Sequence, residues 1–494
     1  MPDIFAFSPT TVLLCVLAVL AVLWLLTRRP SGLPPGPTLL PFVGNVLSMG
    51  SDLRITFNKL RQQYGDIFSV YMLNTPVIVL NGYNTLRDAI IKNADVFSDR
   101  PFSMLSDFML KGKGVSSTSG ELWREQRRFA LNTLREFGAG RNIMEDKIHE
   151  EVSQLLEAFE AEKGQGFDSK RLVNNATSNV VCSTMFGKRF EYTDPLYMTF
   201  LKAMDEIFAD LGAAGVLNVL PIVRFLPGDL FKFKKTMRNM DTITTLLIDP
   251  MIKEHLQNHD DDNVEDFIHA YIKEMRLRKD KQEDTTLDLE NLAMTIADLF
   301  LAGTETTATT IRWTLAYFLH NPDVQEKCFR EIQENIGQSR RPSMKDKTNL
   351  PYVDATIMEV LRRADIGPLS LPHTVPHDVQ FRGYTFPKGA NVILMLDSVL
   401  QDPDVWGDPD NFRPGRFLDD TGKIVKKEEF IPFSLGRRVC LGESMARMEL
   451  FLFLTTMIQR FKFVPVDGQM PSLDGIMGLT HSPRPFLMKA IHRI

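Results

Sequence analysis

Apolar residues follow three rhythms along this chain. Over residues 4–26 they are nearly continuous, broken only by Ser8, Pro9, Thr10 and Thr11. Over 143–162, 195–212, 230–256, 289–320, 322–336, 353–363 and 442–460 they recur every three or four positions, which predicts helices with one apolar face. Strand-like runs are shorter. Residues 67–80 predict two strands around a turn at Asn74-Thr75-Pro76, and 379–381, 383–384 and 391–394 predict a second small group. The expected fold class is mainly α with a small β portion, the body forming one domain without an internal boundary.

The first rhythm predicts a membrane anchor over residues 4–27. As a helix, 23 such residues rise about 35 Å, more than the roughly 30 Å bilayer core. A cleaved signal peptide carries positive charge before its apolar run, whereas here Asp3 precedes it and Arg28 and Arg29 follow. Those arginines place the body on the cytoplasmic side. The Asn175-Ala176-Thr177 sequon is then expected to stay unmodified. Prolines at 30, 34, 35 and 37 exclude a helix in a linker over 28–41, which reads as a stiff spacer ahead of a body over 42–494. Residues 216–226 (VLNVLPIVRFL) are apolar but too short to span a bilayer; they form either a buried connection or a loop dipping into the membrane interface.

Charge acts mainly by exclusion. With 57 Lys+Arg against 62 Asp+Glu the net charge is −5, so the basic excess needed for nucleic acid is missing. The charged runs 259–262 and 276–284 read as solvated loops. Four cysteines, at 15, 182, 328 and 440, lack the spacing of a disulfide framework or a structural zinc site. One of them has chemical surroundings of its own. Cys440 opens the helical stretch that follows, where unpaired backbone N–H groups and Arg438 both favour thiolate. Gly436 permits a tight turn, and Gly442 removes a side chain where a flat cofactor would approach the backbone. Such a thiolate suits an iron ligand. Within 289–320, Ala302-Gly303-Thr304-Glu305-Thr306-Thr307 combines residues that are poor helix formers, so something other than propensity selects them.

The pattern Phe-x-x-Gly-x-Arg-x-Cys-x-Gly, from Phe433 to Gly442, resembles the haem-ligand loop of the cytochrome P450 family, the haem-thiolate monooxygenases. Three further motifs follow in the family's order, and the resemblance runs from about residue 33 to the C-terminus. It implies a haem-enclosing fold behind the transmembrane helix, with Cys440 as axial ligand of haem b and Phe433 and Ala302 against the cofactor. It places Thr306 and Glu305 on the distal side, relaying protons to dioxygen. Glu359 and Arg362, one helical turn apart, would join Arg416 in a structural network; Gly415 stands where many relatives carry Glu. Trp123, Arg127, Arg100, His373 and Arg438 match the partners of the haem propionates.

A thiolate ligand pushes electron density onto haem iron and favours O–O cleavage. The implied reaction inserts one oxygen atom from O2 into a lipophilic substrate. No Gly-x-Gly-x-x-Gly follows a strand, so electrons come from outside. The implied donors are an NADPH-dependent flavoprotein reductase and cytochrome b5, docking near Arg124, Arg128 and Arg437. The anchor and motifs look most like the microsomal animal branch acting on drugs, fatty acids and steroids, at the endoplasmic reticulum with a lumenal N-terminus. Pocket residues would come from 100–114, 200–217 and 298–302. Two other readings remain: a reductase-independent isomerase of oxygenated lipids, against which Glu305-Thr306 argues, and a haem-holding sensor.

Overall fold

Strands and long helices segregate along the chain. The computed structural model describes residues 8–27, 29–50, 52–139, 143–218, 220–258 and 264–493. Its contacts gather into two units, Met1–Pro101 with Leu369–Met395, and Phe102–Pro368 with Leu396–Ile494, where the sequence suggested no internal boundary.

The first unit is built on a four-stranded sheet. Ile67–Met72 and Thr75–Leu80 pair antiparallel; Thr75–Leu80 runs parallel to Asn391–Leu394, which pairs antiparallel with His373–Thr374. The hairpin turn is Leu73-Asn74, with Leu73 at φ 55°, so Thr75 and Pro76 belong to the strand rather than the turn. Pairing with Asn391 begins only at Val77, so the missing N–H of Pro76 breaks no bond on that side. Phe57, Phe68, Val70, Val77 and Val79 pack together on the sheet.

The linker is not a free spacer. Ser69 N–H donates to the Pro35 carbonyl at 2.7 Å and Thr385 N–H to that of Gly32 at 2.7 Å. Arg29 donates to Ser69 Oγ and, at 2.7 Å, to the Pro37 carbonyl. A Cβ on Gly36 would lie 2.0 Å from the Ser69 carbonyl oxygen, so only glycine fits. Ahead of it, the helix Pro9–Thr27 has 19 residues and rises about 28 Å, just under a bilayer core. Among the described residues no helix is long and apolar enough to cross a membrane; residues 4–7 and 28 lie outside them.

The second unit is helical, and most predicted helices occur within a few residues of expectation: Ile143–Ala161, Pro195–Ala214, Pro322–Asn335, Pro351–Ala364 and Glu443–Arg460. Leu289–His320 starts on the cap Asp288, whose carboxylate accepts from Asn291 N–H at 2.6 Å. Residues 230–256 resolve into Phe233–Ile243 and Asp249–Gln257, joined by a π-helical segment. The helix Lys170–Phe186 was not anticipated; it packs against Leu289–His320, where a Cβ on Gly303 would meet Val181 at 3.0 Å. Gly303 therefore serves helix contact rather than a cofactor. Asn175 of the sequon is 1% exposed in that buried helix, out of reach of glycosylation.

Two loop expectations change. The helix Phe267–Asp280 occupies the first part of 276–284, with Arg278 paired to Glu274 at 2.7 Å and to Glu125; residues 259–263 lie outside the described residues. Residues 216–226 are two-faced: Leu217 and Val223 are buried, while Leu220, Ile222, Phe225 and Leu226 are exposed.

Candidate functional site

The segment before Glu443–Arg460 is a closed loop. Cys440 N–H donates to the Phe433 carbonyl at 3.0 Å, and the chain between turns through Ser434 at φ 64° and Gly436 at φ 75°. The helix begins only at Glu443, so Cys440 precedes it instead of opening it. Burial pushes the Cys440 thiol above its usual range; the N–H groups of Gly442 and Glu443 and the charge of Arg127 pull it back. Arg127, which donates to the Val439 carbonyl, is a cation acting on the Cys440 thiol. Cys440 nevertheless has accessible surface. A Cβ on Gly442 would meet nothing within 4 Å, leaving the space a flat group needs. Cys182 and Cys328 are fully buried, and burial pushes the Cys328 thiol to about 12.

Trp123 and Arg438 meet beside this loop. The Arg438 guanidinium lies 3.7 Å from the centre of the Trp123 ring and donates to the Thr118 carbonyl at 2.7 Å. Trp123 is buried, yet its Nε1–H has no partner among the described residues. Asp298 holds the same 114–118 segment from the long helix: its carboxylate accepts from Val115 N–H at 2.7 Å and Ser116 N–H at 2.9 Å, and burial raises its pKa. This clamp was not foreseen, because Asp298 carries no motif. Arg100 and His373 belong to the first unit, where Arg100 donates to the Leu371 and Pro372 carbonyls at 2.8 Å and His373 Nδ1 lies 2.6 Å from the Phe97 carbonyl.

Leu289–His320 is buried along most of its length but exposes Ala302, with Thr306 half-buried one turn on. Thr306 Oγ1 donates to the Ala302 carbonyl at 2.7 Å. Glu305 looks elsewhere. It is buried, accepts from Thr309 at 3.1 Å, and has Asp205, Lys170 and Arg312 as electrostatic neighbours, with burial first in raising its pKa. Glu305 and Thr306 thus bond to different partners on the same helix. Asp168, Lys170 and Asp205 line a cavity of about 590 Å³. Buried Arg312, which has Asp168, Glu305 and Asp205 around it, leaves Nε and Nη2 without partners.

The structural motif closes as expected. Glu359 receives Arg362 at 2.8 and 3.0 Å, Arg416 at 3.0 Å and Arg413 N–H at 2.9 Å. Arg362 and Arg416 also donate to the carbonyls of Leu400, Pro409, Trp406, Asp408 and Asn411. Beyond Arg416, Phe417 packs edge-on against Phe430 at 5.0 Å, and Arg447 lies over both Phe430 and Phe433. The network thus braces the cysteine loop through aromatic contacts.

A family model described as Cytochrome P450 matches residues 34–490. The chain is 38% identical to human Cytochrome P450 2U1, covering 97% of this chain and 93% of the relative. It is 40% identical to human Cytochrome P450 2C8 over 93% and 94%, and 41% identical to Cytochrome P450 2B4 of Oryctolagus cuniculus over 91% and 92%. Family members bind haem through a cysteine thiolate, and the residues present fit one: an accessible thiol with N–H groups around it, open space at Gly442, and an orphaned indole N–H suited to an anionic propionate. With the match spanning nearly its whole length, the chain belongs to the cytochrome P450 family and is a haem-thiolate monooxygenase.

Proposed function

We propose that the chain oxygenates a lipophilic small molecule, a xenobiotic, fatty acid or steroid, at the endoplasmic reticulum membrane, with Cys440 as the iron ligand. The observation that carries this reading is the accessible Cys440 thiol beside the unpartnered Trp123 N–H. Bound haem supplies the oxidising chemistry, and a thiolate tunes it toward O–O cleavage. Each residue then has a task. Backbone N–H groups of Gly442 and Glu443 and the Arg127 charge stabilise the Cys440 thiolate. Trp123 and Arg438 hold one propionate, Arg127 contributes to it, and Arg100 and His373 serve the other while keeping their carbonyl bonds. Phe433 and Ala302 bound the cofactor on its two faces. Glu305, whose carboxyl pKa burial raises, supplies protons to Thr306 Oγ1 through water.

The anchor comprises residues 4–27, aided by the exposed apolar side chains of Ile222 and Phe225, and the catalytic body comprises 42–494 after the packed 28–41 linker. Electrons come from an NADPH-dependent flavoprotein reductase, with cytochrome b5 as a second donor; exposed Arg124, Arg128 and Arg437 offer the docking charge. Purified protein, reductase, NADPH and a lipophilic panel under isotopically labelled dioxygen are expected to yield product bearing one labelled atom. Product without NADPH use would support the isomerase reading, and no substrate-dependent turnover would support the sensor. Cys440→Ser is expected to abolish the red-shifted Soret band of the reduced carbon monoxide complex. Thr306→Ala should keep that band but lower product formed per NADPH.

A further inference from the structure

Three metal-ligating side chains converge where the helices Asp249–Gln257 and Phe267–Asp280 meet, in a part of the second unit that the oxygenation chemistry does not use. One donor atom from each of His255, Asp266 and His269 lies within 4.8 Å of the other two. His255 and Asp266 are buried, and His269 is half-buried. Asp266 caps the second helix through Oδ1, which accepts from His269 N–H at 2.9 Å. Its Oδ2 lies 3.0 Å from His255 Nε2 and 2.7 Å from His269 Nδ1.

The hydrogen inventory of this cluster is short. His255 Nδ1 is 2.7 Å from the Met251 carbonyl, which can only accept, so Nδ1 carries a hydrogen. A neutral His255 would then turn its Nε2 lone pair toward a carboxylate oxygen that also only accepts. The contact requires a positive species between them, either a second proton or a metal cation. An Nδ1–H bond to a backbone carbonyl is the outer-shell bond that orients metal-binding imidazoles. Two imidazoles and one carboxylate are zinc ligand types, and three protein ligands leave a fourth position for water. A Cβ on Gly187 would come within 2.8 Å of Asp266 Oδ2, so glycine at the end of Lys170–Phe186 keeps the carboxylate unobstructed. Lys147, which donates to the Ser183 and Glu265 carbonyls and acts electrostatically on Asp266, is the cation already nearby.

We propose that His255, Asp266 and His269 form a binding site for one zinc-type divalent cation that clamps the two helices together. On binding, His255 releases its Nε2 proton to solvent and His269 transfers its hydrogen from Nδ1 to Nε2, so that both presented nitrogens offer lone pairs. The full-length haem protein, stripped with a chelator and desalted, is titrated with Zn2+ by calorimetry and by competition with a chromophoric indicator. One equivalent is expected, with affinity at least tenfold weaker in His269→Ala. That residue is half-exposed, so the variant is expected to keep its Soret spectrum as proof of folding. His255→Gln provides the second variant. Co2+ should give the intense visible bands of a four-coordinate site in the parent and not in either variant. Zinc uptake unchanged in both variants, or no uptake by the parent above that of His269→Ala, would overturn the proposal and leave a proton as the occupant.

Discussion

Two buried arginine–glutamate sets lie in the second unit, and they differ in how completely they are bonded. Around Glu359 the carboxylate takes two guanidinium groups and a backbone N–H, and the remaining donors of Arg362 and Arg416 end on main-chain carbonyls, the Gln401 amide oxygen and the Asp408 carboxylate. Around Glu305 the bonding is incomplete: Arg312 is 3% exposed yet leaves two donor atoms without partners. A saturated set is worth most as scaffold, because removing any member strands a buried charge. An unsaturated set has fewer bonds to lose, so removing a member disturbs less of the surrounding structure.

The comparison can be broken experimentally, starting where the effect is largest. Arg362→Met or Glu359→Ala is expected to lower unfolding stability by about 3–5 kcal/mol, seen as a lower denaturant midpoint or failure to accumulate folded haem protein. Arg312→Met should cost at least about 2 kcal/mol less than Arg362→Met, since Nε and Nη2, two of the donors it removes, make no bonds among the described residues; equal losses would erase the distinction.

The third test uses pH. Burial, reinforced by Asp205, raises the Glu305 pKa, so the native state holds a proton that the unfolded chain releases. The linked stability is full below the ordinary value of 4.5 and declines as pH rises toward the folded value, by at most about 1.4 kcal/mol per pH unit. Glu305→Gln should remove that decline, so the variant gains on the parent between acid and neutral pH; a flat difference curve would count against a raised Glu305. Smallest is Gly415→Glu, which restores the residue common in relatives. A Cβ there meets nothing within 4 Å, so stability should stay within about 0.5 kcal/mol.

How much of this was legible in sequence depended on what each residue faces. The helix Leu289–His320 was readable to its ends because its cap and apolar period agree. Lys170–Phe186 was not, because 14 of its 17 residues are buried, Asn, Ser and Thr among them, and burial on every side leaves no period to detect. The Glu359, Arg362 and Arg416 network followed from its motif. The relay role of Glu305 and Thr306 came from their motif, but their separate bonds, Thr306 to the Ala302 carbonyl and Glu305 to Thr309, were not legible, because neighbours in a helix are turned by about 100° and rarely share a partner. The charge of Arg438 near Cys440 was legible from chain proximity, whereas that of Arg127, more than 300 positions away in sequence, is brought there by folding. The His255, Asp266 and His269 cluster contains no cysteine and joins residues from two helices, so no zinc-type cysteine spacing marks it in sequence.

Between Thr27, the end of the first helix, and Arg29, already fastened to Ser69 and Pro37, there is a single residue, a tether of about 7 Å at full extension. A leash that short has no slack. If the helix is seated in a bilayer, it acts as a keel: any roll of the sheet-bearing unit must turn the helix or tear Arg29 from its acceptors, so the heading of that unit is set where the chain leaves the lipid.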